Sequence, residues 1–294
     1  MGIGIAYVVG VHGDVPTVVL YDAVPSAGER ALTSLHTQIE AAAKKGRFDA
    51  ARAEELKRRY VVVHSVDRLG TDAQAPGLVI EAAPEAMDLK RTLFEALIKT
   101  LPLDTILASN TSSLSITDLA RTAAGTGLGW DAARGAQSMS RVIGFHFFNP
   151  AQVMKLVEII PALQTSEDVA ARMTAFATHL SKTPVRCSDT PGFLVNRYAI
   201  CGTLEAIRML ETKVATKEEI DQAIHLGLNA PAGPLIGADY IGLDTVLHVA
   251  ETIYCESHAP QFNPPVLLKR MVQAGYLGVK SGRGFYDYGG RPKM

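Results

Sequence analysis

The chain has 294 residues, is 47% hydrophobic and carries a net charge of -1, enough apolar material for a sizeable core in one large or two ordinary domains. The balanced charge, with no long lysine or arginine run, argues against a nucleic-acid or anionic-membrane surface, and no apolar stretch reaches the ~18 residues that a membrane span needs. Cys187, Cys201 and Cys255 lie far apart without a C-x-x-C pair, which points to a reducing compartment, cytoplasm or mitochondrial matrix, with no metal site and no visible signal peptide.

Gly2 and Gly4 open a short apolar helix pattern. Thr17–Tyr21 reads as a buried strand that ends in Asp22. A dinucleotide fold asks for a strand, a glycine-rich turn, a helix, a second strand and then an acid about 20 residues beyond the glycines. Asp22, twenty residues after Gly2, stands where a carboxylate would accept both ribose hydroxyls and favour NAD over NADP. The first strand and the first two glycines of that pattern are not in this sequence. An ordinary helix start and a strand-end aspartate explain the same residues equally well.

Residues 24 to 45 carry a helical apolar stripe, closed by Lys44, Lys45 and Gly46, where cations suit the helix dipole. A helix near Asp49–Arg59, strands at Val61–His64 and Leu78–Glu81, and a helix over Ala86–Thr100 follow, with Glu85 just ahead of it and Lys90 one turn in. Ile106–Ser109 is a strand that runs into Asn110, Thr111, Ser112 and Ser113. A hydroxyl-rich turn at a strand's C-terminal end is where open α/β sheets bind ligands; it is also an N-cap cluster for a helix starting near Ile116. Thr122–Ser140, rich in Gly, Ala and Ser, reads as an irregular surface insertion.

Two apolar runs come next, Val142–Phe145 and Val153–Ile160. Each carries a polar group that its pattern does not need. His146 ends the first and Glu158 sits inside the second. A carboxylate within an apolar strand needs a partner, because burying an unpaired charge is costly. If the runs pair across the turn at Asn149 and Pro150, the histidine is that partner, and a carboxylate that holds an imidazole makes it a better proton acceptor. The competing reading is a satisfied core histidine and an edge-strand glutamate. A helix at Ser166–Leu180 and a strand at Thr183–Cys187 close the alternating part, and from Asp189 onward only helices are expected. The expected architecture is therefore α/β, a doubly wound Rossmann-like domain over residues 1–187 followed by an all-helical domain over residues 188–294.

The string from Gly144 to Glu158 closely resembles the 3-hydroxyacyl-CoA dehydrogenase family, as do Ala108 to Leu114, Asp189 to Arg197, Gly242 to Asp244 and Gly278 to Tyr286. The resemblance covers nearly the whole chain, and its second half looks most like the short-chain 3-hydroxybutyryl-CoA branch. It implies NAD-dependent oxidation of (S)-3-hydroxyacyl-CoA and the reverse reaction, in fatty-acid metabolism, by a homodimer joined through the helical domain. His146 would be the general base, Glu158 its partner, Ser112 a contact to the substrate oxygen and the nicotinamide, and Asn196 a contact to the thioester or 3-oxygen. Gly2, Asp22, Glu85, Lys90, Asn149 and Lys280 would line the cofactor site, and Lys45 would meet the CoA phosphates. Gln38 stands where some relatives have a serine that contacts CoA. Met1 coincides with a methionine inside the family's glycine motif, so an opened sheet and weakened NAD binding are expected. Alternatives are an impaired paralogue that binds CoA esters or nothing, and a dehydrogenase of sugar acids. The C-terminal residues 291 to 294 are not a Ser-Lys-Leu-type peroxisomal address.

Overall fold

The computed structural model describes residues 1–70 and 75–289; the C-terminal address reading lies outside them. The chain folds as two compact units, Met1–Asp189 and Thr190–Met294.

The first unit begins with helix α1 (Gly2–His12) and strand β1 (Val18–Tyr21), then helices α2 (Pro25–Lys44) and α3 (Ala50–Arg58) and strand β2 (Tyr60–Val63). β1 and β2 run parallel, as a crossover through helices requires, and form a two-stranded sheet. Leu35 and Ile39 of α2 and Leu56 of α3 are fully buried against it with Tyr7 of α1, each aliphatic side chain contributing about 1.5–3 kcal/mol of apolar burial.

The second sheet holds β3 (Leu78–Glu81), β4 (Ile106–Ser109), β5 (Val142–Phe147), β6 (Leu156–Pro161) and β7 (Thr183–Arg186), in that order. Helix α4 (Met87–Thr100) crosses from β3 to β4, and α5 (Ile116–Thr122) with α6 (Ala132–Ser140) from β4 to β5. These strands are parallel. β5 and β6 are joined by a short loop with a cis Asn149–Pro150 peptide and pair antiparallel. Helix α7 (Glu167–His179), capped by the Ser166 hydroxyl, then crosses to β7. Among the described residues β1 and β2 pair only with each other, so the sheet is interrupted between β1 and β3, as expected. Helix α1 carries apolar residues into both cores: Ile5 and Val8 meet Phe145, Val157 and Met173, while Ala6 and Tyr7 meet the α2 layer.

Two segments differ from the sequence reading. The stretch expected to be irregular contains helix α6, whose N-cap Asp131 accepts from the Arg134 N–H at 2.8 Å. Its buried residues are Gly135 and Ser138, so no apolar stripe announced it. Val153 and Met154 are not in β6: their N–H groups both bond to the Pro150 carbonyl in a turn, and Val153 is 70% exposed.

The second unit is helical: α8 (Val195–Glu211), α9 (Lys217–Gly227), α10 (Pro234–Ile241), α11 (Leu243–Ser257) and α12 (Val266–Gln273). Its core is built from Leu204, Ile207, Leu235, Leu243, Ile253 and Leu268. Thr216 and Glu219 close a reciprocal capping box at the start of α9.

Candidate active site

The parallel strands β3, β4 and β5 end at one edge, and their last residues place polar groups there. Gly144 sets up the close packing beneath: a Cβ at that position would lie 2.8 Å from the Ile160 Cβ and 3.0 Å from the Ile116 side chain. Helix α5 can therefore lie against β5 directly below the site.

His146 and Glu158 are direct cross-strand partners. The imidazole Nδ1 is 2.7 Å from Glu158 Oε2, and both side chains are buried. Facing residues on one sheet face lie close enough for such a bond, so antiparallel pairing of the two apolar runs builds the pair. With Glu158 a carboxylate it can only accept, so Nδ1 carries the proton and Nε2 presents its lone pair. Ser112 Oγ lies 3.1 Å from that Nε2. The three residues make a continuous hydroxyl, imidazole and carboxylate line. Of the competing reading, the edge-strand glutamate does not hold, because β6 lies between β5 and β7; a satisfied histidine would make the same two bonds, and what sets this one apart is that its Nε2 partner belongs to a half-buried loop at the strand ends.

The serine loop is held from two sides. Glu85 Oε1 accepts from the N–H groups of Ser112 and Ser113 at 2.8 and 2.9 Å, and from the hydroxyls of Thr111 and Ser113 at 2.7 and 3.1 Å. Asn110 Oδ1 accepts from the Phe147 N–H at 2.8 Å, tying the same loop to the strand of His146. The N-cap of α5 is Ser115, outside the Asn110–Ser113 cluster. Asp189 reinforces it, taking the Ser115 hydroxyl and the Ile116 and Thr117 N–H groups at 2.7 to 3.0 Å.

Lys90, expected at the cofactor, points inward. It is 1% exposed, donates to Glu81 Oε1 at 2.7 Å and to the Ala83 carbonyl at 3.2 Å, and lies 3.7 Å from Glu85 Oε2. Sequence reasoning missed Glu81. The signal was there: an acid ends the apolar run of β3, the pattern that drew attention to Glu158.

The remaining residues are more open. Asp22 lies just past β1, exposed, its Oδ1 accepting from the Val24 N–H at 2.8 Å. Gly2 starts α1, whose first turn has no side-chain cap and no acid. Free helix-start N–H groups with an exposed carboxylate beyond the next strand are the donor and acceptor set that a dinucleotide asks for. Asn149 is exposed in the β5–β6 loop, and Lys45 is exposed at the C-cap of α2. Gln38 accepts from the Gln152 amide at 2.9 Å, which occupies its carbonyl oxygen. In the helical unit, half-buried Asn196 lies in the first turn of α8, and the Lys280 ammonium bonds Asp244 at 2.6 Å. Cys187, at the end of β7, has its thiol pushed up to about 12 by burial, with Glu158 and Asp189 adding to the shift, so a thiolate is not available there at neutral pH.

Residues 1–190 match the family described as 3-hydroxyacyl-CoA dehydrogenase, NAD binding domain, and residues 192–288 match 3-hydroxyacyl-CoA dehydrogenase, C-terminal domain. A probable 3-hydroxybutyryl-CoA dehydrogenase of Bacillus subtilis is 40% identical over 98% of this chain and 94% of its own length. A 3-hydroxybutyryl-CoA dehydrogenase of Mycobacterium tuberculosis is 45% identical over 72% of this chain and 70% of its own. The solved structure of an (S)-3-hydroxybutyryl-CoA dehydrogenase of Ralstonia eutropha aligns with a TM-score of 0.87 at 39% identity, over 98% of this chain and 95% of that one.

Proposed function

The chain belongs to the 3-hydroxyacyl-CoA dehydrogenase family, and from that premise we propose that it interconverts short-chain (S)-3-hydroxyacyl-CoA and 3-oxoacyl-CoA, with His146 as its acid-base residue. The coarser activity, NAD-dependent oxidation of 3-hydroxyacyl-CoA, follows from the matches to both domains and to its named relatives. The observation that carries the residue assignment is the line Ser112 Oγ, His146 and Glu158 at 3.1 and 2.7 Å.

In the oxidative direction His146 Nε2 takes the proton of the C3 hydroxyl. Glu158 keeps the ring in the tautomer that presents Nε2 and stabilises the imidazolium that results. In reduction the same Nε2–H returns the proton to the carbonyl oxygen. Ser112, beside Nε2, would turn its hydroxyl from that nitrogen to the substrate oxygen, orienting it and stabilising its developing charge. Bound NAD supplies the hydride acceptor. Asp22 would hold the adenine ribose, and the uncapped start of α1, at Gly2, the pyrophosphate. Glu85 and Asn149 would border the nicotinamide, while Lys90 stands behind Glu85, bonded to Glu81. Asn196, Lys45 and Lys280 are assigned to the acyl-CoA and cofactor by the family motif, and pairing of two copies through the helical unit belongs to the same reading.

A serine, histidine and acid in line also describes a hydrolase, and the substrate class is a thioester. Here the Ser112 and Ser113 N–H groups that could serve an oxyanion are committed to Glu85. That favours proton transfer at C3 over acyl transfer to the serine. The assay that tests the proposal follows NADH consumption with acetoacetyl-CoA, acetoacetate and a 3-oxo sugar acid in parallel. Turnover of the CoA ester at least ten times faster than of the others, an order-of-magnitude margin for CoA contacts, is expected. Preference for the sugar acid, or CoA release without NADH, contradicts it.

A further inference from the structure

Behind the serine loop lies a buried charge cluster that the proton chemistry does not use. Glu81 is 3% exposed and Lys90 1%. Glu81 Oε1 accepts from the Ala83 N–H at 2.5 Å and from Lys90 Nζ at 2.7 Å, and its Oε2 accepts from Ser109 Oγ at 2.6 Å. Lys90 also faces Glu85 Oε2 at 3.7 Å, outside hydrogen-bond distance. Two carboxylates thus share one ammonium, and the ammonium is committed to Glu81.

The division of labour within Glu85 follows. One oxygen, Oε1, takes four donors from the Thr111–Ser113 loop. The other, Oε2, looks toward Lys90 without bonding it. A buried ammonium is stable only when paired. Were Glu81 unable to neutralise Lys90, Glu85 would be the remaining counter-ion within reach. Closing that gap would draw its carboxylate off the loop and release Ser112 from its place on His146 Nε2.

We propose that Glu81 is a positioning residue for the reaction: by holding Lys90 it leaves Glu85 free to fix the loop that sets Ser112 against His146. This rests on the dehydrogenase reading for its kinetic consequence but not for its structural one. Glu81 also takes the Ser109 hydroxyl at the foot of the same loop, so the double variant, which removes the ammonium as well, isolates the route through Lys90 and Glu85.

The test uses the full chain as Glu81→Gln, Glu81→Asp and the double variant Glu81→Gln/Lys90→Met. Glu81→Gln should lower kcat for acetoacetyl-CoA reduction about tenfold to a hundredfold, the scale of a small misplacement of a reacting group, with KM within about twofold. The double variant, which removes the unpaired ammonium as well, should recover kcat to within about fivefold of the parent, a coupling that contacting residues display. Loss of packing alone would make the double variant worse than the single one. Amide hydrogen exchange at Ser112 and Ser113 should speed up about tenfold in Glu81→Gln and return in the double variant, as local opening does when a loop loses its anchors. Should Glu81→Gln fail to fold, Glu81→Asp keeps the charge while loosening the grip and should give the same changes at smaller size. An unchanged exchange rate in the folded variants overturns the proposal. Faster exchange in Glu81→Gln that returns in the double variant, in a parent that lacks turnover, leaves the positioning link standing and sinks the dehydrogenase reading instead.

Discussion

Glu158 and Asp239 are both carboxylates buried among apolar side chains, at 0% and 1% exposure, yet their neighbours have opposite characters. Asp239 accepts from the Phe285 and Tyr286 N–H groups at 2.9 Å each and from the Tyr288 hydroxyl at 3.1 Å. Asp221, in the same helical unit, is met by the Leu235 and Ile236 N–H groups and the Tyr286 hydroxyl. Fixed donors of this kind pin a C-terminal segment onto helices and have nothing to exchange at neutral pH. Glu158 holds an imidazole, a group able both to accept and to donate a proton, and the far nitrogen of that imidazole reaches a half-buried hydroxyl. Burial of an acid is therefore uninformative alone. Whether its partner can titrate, and whether that partner opens toward a loop, separates chemistry from architecture.

The sharpest way to break this contrast is to neutralise each side. His146→Gln should keep NADH binding while losing about 10²–10⁴-fold in kcat, the scale of general acid-base catalysis. NADH fluorescence titration beside steady-state rates checks both halves. Glu158→Gln should follow with a smaller loss, about tenfold or more, since the ring keeps its place but loses the charge that supports the imidazolium. Asp239→Asn should act on stability instead. Its amide cannot accept on both sides, which costs about 1–3 kcal/mol in a denaturation curve, with turnover unchanged well below the melting temperature. A kinetic defect in Asp239→Asn as large as that of Glu158→Gln would erase the distinction. The smallest effect concerns Cys187. With its thiol pushed up to about 12, chiefly by burial, it stays protonated at pH values below that, so alkylation at mildly alkaline pH should mark exposed Cys255 first. Peptide mapping after brief iodoacetamide treatment decides it.

The Glu158 side of this contrast was legible in the sequence, for an identifiable reason, whereas Asp239 was not singled out. A polar residue that interrupts an apolar strand pattern is conspicuous, and His146 and Glu158 twelve residues apart across an Asn-Pro turn were conspicuous together. Most strands and helices showed because period-2 and helical stripes survive in short windows. Three features did not. Helix α6 buries Gly135 and Ser138, so it has no stripe to read. The turn at Val153 and Met154 continues an apolar run without a break in composition, and only its two bonds to the Pro150 carbonyl mark it off from the strand that follows. Lys90 was placed at the cofactor by the family resemblance alone, and it is buried. Its burial depends on Glu81 from a neighbouring strand, a contact that no local pattern announces.

The measurement to make first is the rate of NADH absorbance loss with acetoacetyl-CoA, for the full chain and for His146→Gln side by side. The expected result is saturable turnover by the parent and a kcat lower by about a hundredfold or more in the variant, with NADH affinity preserved. Equal rates in the two proteins would contradict His146 as the proton-transfer residue. A folded parent that binds NADH but leaves the CoA ester unreduced would contradict the dehydrogenase assignment itself.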